Sequence, residues 1–155
     1  PIGYSDLEPY YAQAEKVLGV AGPEKVPDRP RKNPYPLKPH KLSYASRIIE
    51  KGCKKHGLEL TPNSVAILSE VYRDAPPCNY CNGCVWGCPR KDKGSVDVTF
   101  IPLVQETGKC EILENVFVTR IEVEKKNGVR KANGLIYYDN KGKEHFVSGD
   151  YITIA

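Results

Sequence analysis

The sequence contains no methionine, and no apolar run approaches the roughly 20 residues that cross a bilayer as a helix. A transmembrane-helix reading is therefore excluded. Charge of one sign is also scarce: 23 basic residues against 19 acidic ones leave a formal net charge of +4. So mild an excess does not imply a nucleic-acid partner, and none is expected. Low net charge together with plentiful Val, Ile, Leu and Tyr excludes global disorder. His40, His56 and His145 lie far apart, form no ligand pattern and are given no role. No signal peptide or lipidation motif is visible at Pro1. The chain opens without Met and stops within the apolar run from Tyr151 to Ala155. The expectation is a fragment of something larger.

Proline and glycine, by contrast, are abundant, 13 of each among 155 residues and without a period. That predicts much loop and little long helix. The length allows one core or two small ones.

Residues 1–22 read as a helical segment, with the helix over 5–18. Ser5 and Glu8 resemble a capping box, Glu8-Pro9 could equally open a shorter helix, and Gly19 and Gly22 end it. Tyr10, Ala14, Val17 and Leu18 share one face. Residues 23–41 form a proline-rich extended loop, because each proline removes a donor and restricts its predecessor. Its basic residues are expected to be solvated, with a role next to an anion as the alternative. Residues 42–72 hold a helix from about Ser43 to His56 and a strand at 65–72, VAILSEVY. Leu42, Ala45, Ile48, Ile49 and Cys53 mark the helix stripe, Lys54 and Lys55 suit its C-terminal dipole, and Gly57 its C′ position.

Residues 73–94 form a cysteine-rich loop, and residues 95–155 a short helix within Val98–Glu106, a meander and a last strand. Asn127-Gly128 and Asn140-Lys141-Gly142 separate three strand-like runs, which predicts a three-stranded antiparallel meander in 112–148. YITIA, nearly all apolar, suits a strand of a parallel sheet. The fold class is α+β.

Four of the six cysteines fall in CNYCNGCVWGCP: Cys78, Cys81, Cys84 and Cys88, then Pro89. The spacing C-x2-C-x2-C-x3-C-P is a bacterial ferredoxin run for iron–sulfur ligation. Two-residue gaps let a curled loop aim successive thiolates at neighbouring corners of a cluster, and Asn82-Gly83 and Gly87 supply the necessary conformations. A structural zinc and a disulfide framework are the rivals. Zinc sites set two Cys pairs farther apart, and cysteines this close pair awkwardly. With no second run for Cys88 to serve, a three-iron (3Fe-4S) cluster on Cys78, Cys81 and Cys84 stands beside a four-iron (4Fe-4S) one. Trp86 is expected to cover the cluster from water. Cys53, on the helix stripe, is expected to be buried.

PIGYSDLEPYYAQAEKVLGVAG resembles the stretch of the glucose–methanol–choline (GMC) flavoprotein oxidoreductases that follows their first FAD-binding elements. CNYCNGCVWGCP with KGSVDVTFIP resembles the subgroup holding the large subunits of gluconate, fructose and related sugar dehydrogenases. CEILENVFVTRIEVE, GLIYYD and YITIA are similar to the family's meander and its return to the FAD-binding sheet. The resemblance implies a fragment of a GMC-type FAD-binding fold. It implies cluster ligation by Cys78, Cys81, Cys84 and Cys88, and an adenine-site edge at 116–121, where the backbone of Val118 meets FAD.

It further implies an alcohol or sugar substrate whose hydride passes to flavin, with electrons leaving singly through the cluster to an acceptor such as a cytochrome or quinone. The partners implied are the remainder of the flavoprotein or partner subunits; members of the family often sit on the outer face of a membrane through such subunits. No G-x-G-x-x-G fingerprint precedes the first helix. The family's catalytic His and its His or Asn partner fall beyond Ala155, so no catalytic residue is assigned in this chain. The rival classes are a stand-alone iron–sulfur electron carrier and a zinc-stapled interaction module.

Overall fold

The computed structural model of the chain describes residues 1–25 and 31–154. Pro27 and Pro30 of the proline-rich stretch, and Ala155 of the last run, lie outside the described residues. The chain divides into two units, Pro1–Lys109 and Cys110–Ala155.

In the first unit, helix α1 spans Tyr4–Leu18 and helix α2 spans Tyr44–Lys55. A 3-10 turn covers Cys84–Trp86, and helix α3 covers Phe100–Glu106. The N-terminus of α1 is capped by a different pair from the expected Ser5 and Glu8. Asp6 accepts the Gly3 amide at 2.9 Å, and the Asp6 amide returns to the Gly3 carbonyl at 3.2 Å. Glu8 is instead buried and accepts the Lys32 amide. Pro9 lies inside the helix, at its sixth residue, where it leaves the Ser5 carbonyl without the amide that an α-helix would supply. Gly19 ends the helix in the left-handed region at φ 66°, as glycine does at little cost.

Helix α2 has the caps its sequence announces. Ser43 Oγ accepts the Ser46 amide at 3.1 Å, Gly57 follows at φ 71°, and Lys54 pairs with Glu50 at 3.1 Å. Its apolar stripe is not buried among the described residues: Ile48 and Ile49 are exposed, and Cys53 is half-buried.

The core of this unit is small: Ala21, Leu37 and Leu68, with Tyr72 and Ala75 packed against them. Ala21 exchanges both backbone hydrogen bonds with Val65 at 2.9 Å, while the Gly22 amide reaches the Leu37 carbonyl at 3.1 Å. On the far side, Leu68 donates to the Asp92 carbonyl and Gly94 to that of Ala66. The expected strand at 65–72 is therefore a correction: its residues form isolated bridges to Ala21, Lys93 and Ala75 rather than a ladder. Pro23 supplies no donor one residue past Gly22, so pairing on that side cannot extend. Beyond Leu68 the chain turns, with Arg73 and Asp74 at positive φ between the paired Tyr72 and Ala75.

The proline-rich stretch is strapped to α1 by the charges expected to be solvated. Arg31 makes a bidentate pair with Glu15, both largely shielded, and its guanidinium lies 3.7 Å from the centroid of the Tyr35 ring. The hydrogen bond that Arg31 donates to Glu15 is the main cause raising the Arg31 pKa above its ordinary value.

The second unit is a meander of strands β1 (Phe117–Lys126), β2 (Val129–Tyr138) and β3 (Glu144–Ser148), in the order β1-β2-β3 and antiparallel throughout. Asn127 and Gly128 take φ 52° and 81°, the double left-handed turn that matches strand twist. At the second turn Asp139 accepts the Lys141 and Lys143 amides on one carboxylate oxygen, and His145 Nε2 lies 2.9 Å from the other. The run 150–154 is a second correction. It forms no strand among the described residues, and Tyr151 is 96% exposed. A parallel strand needs a parallel neighbour, and the meander offers only antiparallel partners.

Two outcomes follow from this packing. A Cβ at position 94 would lie 2.0 Å from the Leu18 carbonyl oxygen, a backbone atom that cannot rotate away. Gly94→Ala should thus cost roughly 1–3 kcal/mol, read as a lower thermal unfolding midpoint of the complete protein. At the β2–β3 turn, the His145 hydrogen bond first, then the Lys143 and Lys141 amides, hold the Asp139 carboxyl below the usual aspartate range. Its stabilising contribution is complete above the ordinary aspartate pKa and is lost as pH falls through the lowered one. Amide exchange at Lys141 and Lys143, corrected for intrinsic rates, should accelerate over that acidic interval, and Asp139→Asn should largely abolish the pH dependence.

Candidate functional site

The cysteine loop leaves the core at Cys78, whose amide donates to the Leu68 carbonyl at 2.9 Å. It curls because Tyr80, Asn82, Gly87 and Lys91 all take positive φ. For Asn82 and Gly87 this is the conformation their sequence suggests. For Tyr80 at φ 58° it is uncommon and must be held by surrounding contacts. The Tyr80 amide donates to Cys78 Sγ at 3.3 Å, and the Cys81 amide to Asn79 Oδ1 at 3.3 Å. Burial pushes the Cys78 thiol up, and the Tyr80 amide opposes that shift.

Side chains brace the loop from outside. His40 Nε2 lies 2.9 Å from the Ile67 carbonyl, which can only accept, so that nitrogen carries the proton. In the neutral ring Nδ1 is then the acceptor, and the Tyr80 hydroxyl donates to it at 2.9 Å. Lys93 Nζ donates to the Cys84 carbonyl at 3.0 Å. Arg90 donates to the Pro77 carbonyl at 3.3 Å and to Asp92 Oδ2 at 3.2 Å. The other Asp92 oxygen accepts from Cys88 Sγ at 3.0 Å, and the Asp92 side chain is only 3% exposed. A buried carboxylate needs such donors, since desolvation of the charge would otherwise outweigh everything it contacts.

Beside the loop opens a cleft of about 390 Å³, with His40, Ser43, Ser46, Tyr80, Cys78 and Cys84 in its wall. The structure thus brings Cys78 and Cys84 to one cavity and turns Cys88 towards Asp92, while Cys81 is exposed. All six cysteines are unpaired, against the disulfide framework. Among the described residues no three His, Cys, Asp or Glu side chains are gathered to hold a single metal ion. The donor set fits an iron–sulfur cluster in its chemistry: soft thiols on a curled loop, with an amide already directed at one sulfur. Trp86, in the 3-10 turn between Cys84 and Cys88, is 92% exposed.

Val118 stands in the other unit, opposite Tyr137 near the start of β1, and is half-exposed. The register slips between Val118 and Arg120, and among the described residues β1 has a neighbour on one side only. Part of its backbone is therefore free of the ladder.

His40, Arg90, Asp92 and Lys93 are the residues that sequence reasoning missed. His40 stands 40 residues from Tyr80, and no spacing rule links a histidine to a loop at that range.

A family profile described as GMC oxidoreductase matches residues 2–154. The chain is similar to the gluconate 2-dehydrogenase flavoprotein of Pantoea cypripedii, 26% identical over 176 residues. It is likewise similar to the fructose dehydrogenase large subunit of Gluconobacter japonicus, 30% identical over 157 residues. Each alignment takes in 99% of this chain and 28% of the relative, so the chain spans little more than a quarter of those proteins.

Removing the Tyr80 hydroxyl tests the brace. Tyr80→Phe should cost about 1 kcal/mol or less in stability and speed amide exchange at Tyr80 and Cys81. His40→Ala, which also frees the Ile67 carbonyl, should cost more. Unchanged exchange at both amides in both variants would show that the brace does not hold the loop.

Proposed function

Because the chain belongs to the GMC oxidoreductase family, we propose that it forms part of an FAD-dependent dehydrogenase of sugars or other alcohols, with a cysteine loop that carries an iron–sulfur cluster. The observation that carries this reading is the conjunction of two features in one chain. The family match covers nearly all of it, and C-x2-C-x2-C-x3-C-P lies inside the matched span. Relatives named as a gluconate dehydrogenase flavoprotein and a fructose dehydrogenase large subunit support a sugar or sugar acid as substrate. They also support the remainder of a flavoprotein, and further subunits, as partners.

When bound, FAD supplies hydride acceptance from a hydroxyl-bearing carbon, and a cluster supplies one-electron chemistry. This chain's own residues would bind and orient those groups. The backbone around Val118, on an edge strand with free polar groups, would border the adenine. Cys78, Cys81 and Cys84 would present thiolates, with Cys88 as a fourth. The Tyr80 amide would steady the Cys78 sulfur, and His40 and Lys93 would hold the loop's curl. The electron acceptor would be a cytochrome or a quinone.

Anaerobically purified protein should be brown, with broad absorption that bleaches on reduction, and should hold about three or four irons with acid-labile sulfide. Cys81→Ser and Cys84→Ser should remove the colour, iron and sulfide together. A colourless protein without iron or sulfide would overturn the cluster, and a complete protein that binds no flavin would overturn the flavoenzyme reading.

A further inference from the structure

The charges around the cysteine loop are unequally compensated. Arg90 and Asp92 oppose each other at 3.2 Å and largely cancel. Lys93 has no such partner: none of the ion pairs among the described residues involves its ammonium. Its Nζ spends a hydrogen bond on the neutral Cys84 carbonyl, 3.0 Å away. Asp97 is near enough to feel the charge. The Ser95 hydroxyl is the main cause holding the Asp97 carboxyl low, and Lys93 contributes less. The backbone of Lys93 is itself fixed, paired with Ile67 and followed by the Gly94 amide bonded to Ala66 at 2.7 Å. A half-buried cation is thus anchored at both ends beside the backbone of one of the loop's cysteines.

Thiolates are anions, and a cluster that takes up one electron gains a further unit of negative charge. Net charge around a cluster and hydrogen bonding to its ligands are the levers by which protein sets its potential. A fixed positive charge beside the backbone of a ligand, partly screened from water, stabilises the more negative state. We infer that Lys93 is a positioning residue that raises the reduction potential of a cluster on this loop through its charge. This rests on the cluster reading above and concerns a residue outside the cysteine motif. The hydrogen bond to Cys84 places the ammonium; the charge does the tuning.

The two contributions separate by substitution. Lys93→Gln can still donate to the Cys84 carbonyl but is neutral, Lys93→Met can do neither, and Lys93→Arg keeps charge and donor. The complete protein and the three variants are purified anaerobically, assayed for iron and sulfide, and titrated with dithionite, one electron per cluster, under electron paramagnetic resonance and visible absorption. Iron content should be equal in wild type, Lys93→Gln and Lys93→Arg. The midpoint potential should fall in Lys93→Gln and Lys93→Met and stay near wild type in Lys93→Arg. If Lys93→Met fails to assemble, the Gln and Arg variants decide. A Gln variant with the wild-type potential would reduce Lys93 to a tether and overturn the inference while leaving the cluster intact. Wild-type protein without iron or sulfide would overturn the cluster reading itself, and the inference with it.

Discussion

The first unit depends on the backbone of one small residue. Ala21 is fully buried and exchanges both of its main-chain hydrogen bonds with Val65, while its neighbours Val20 and Gly22 pair with Leu37. Three stretches far apart in sequence meet there. Segment 65–68 is then fixed on its other side by Asp92 and Gly94, so the base of the cysteine loop inherits its position from this contact. Buried main-chain polar groups must be paired, which makes the knot directional in a way that its few apolar side chains are not.

Around it, side chains do much of what a sheet ladder would otherwise do. Glu8 and Glu15 hold the segment that returns from the proline-rich stretch; His40, Arg90, Asp92 and Lys93 hold the cysteine loop. Each of these contacts joins a charged or ring group to a main-chain atom, to an opposite charge, or to a side-chain hydroxyl or thiol. Such bonds are stronger singly than neutral ones and fix orientation as well as distance. A loop rich in left-handed residues needs that kind of fixing, because its own backbone makes few internal hydrogen bonds. The meander is built the opposite way, by ladder bonds set in register by two turns.

What was legible in the sequence divides along the same line. Ser43, Gly57 and Asn127-Gly128 act within a few residues of themselves, and the elements they bound lie where those signals put them. The α+β class and the antiparallel meander follow from such local chemistry. Residues 65–72 and 150–154 look like strands by composition, but a strand exists only with a partner, and composition does not name one. Arg31 reads as a solvated charge until α1 brings Glu15 beneath it. At the site, the four cysteines announce themselves by spacing, whereas His40, Asp92 and Lys93 act through contacts that only the folded chain creates.

The knot at Ala21 also bears on how fast the two units can form. Closing it requires residues 21, 37 and 65 to meet before any of them is rewarded with burial, so the entropy of two long loops is lost first. The meander needs only neighbouring strands joined by short turns, which close in microseconds as isolated hairpins do. Sequence separation between contacting residues slows folding more than size does at this scale. The unit that carries the four-cysteine loop is therefore the slower one to close, and the thiols of that loop stay accessible to oxidant for longer than the length of the chain alone would suggest.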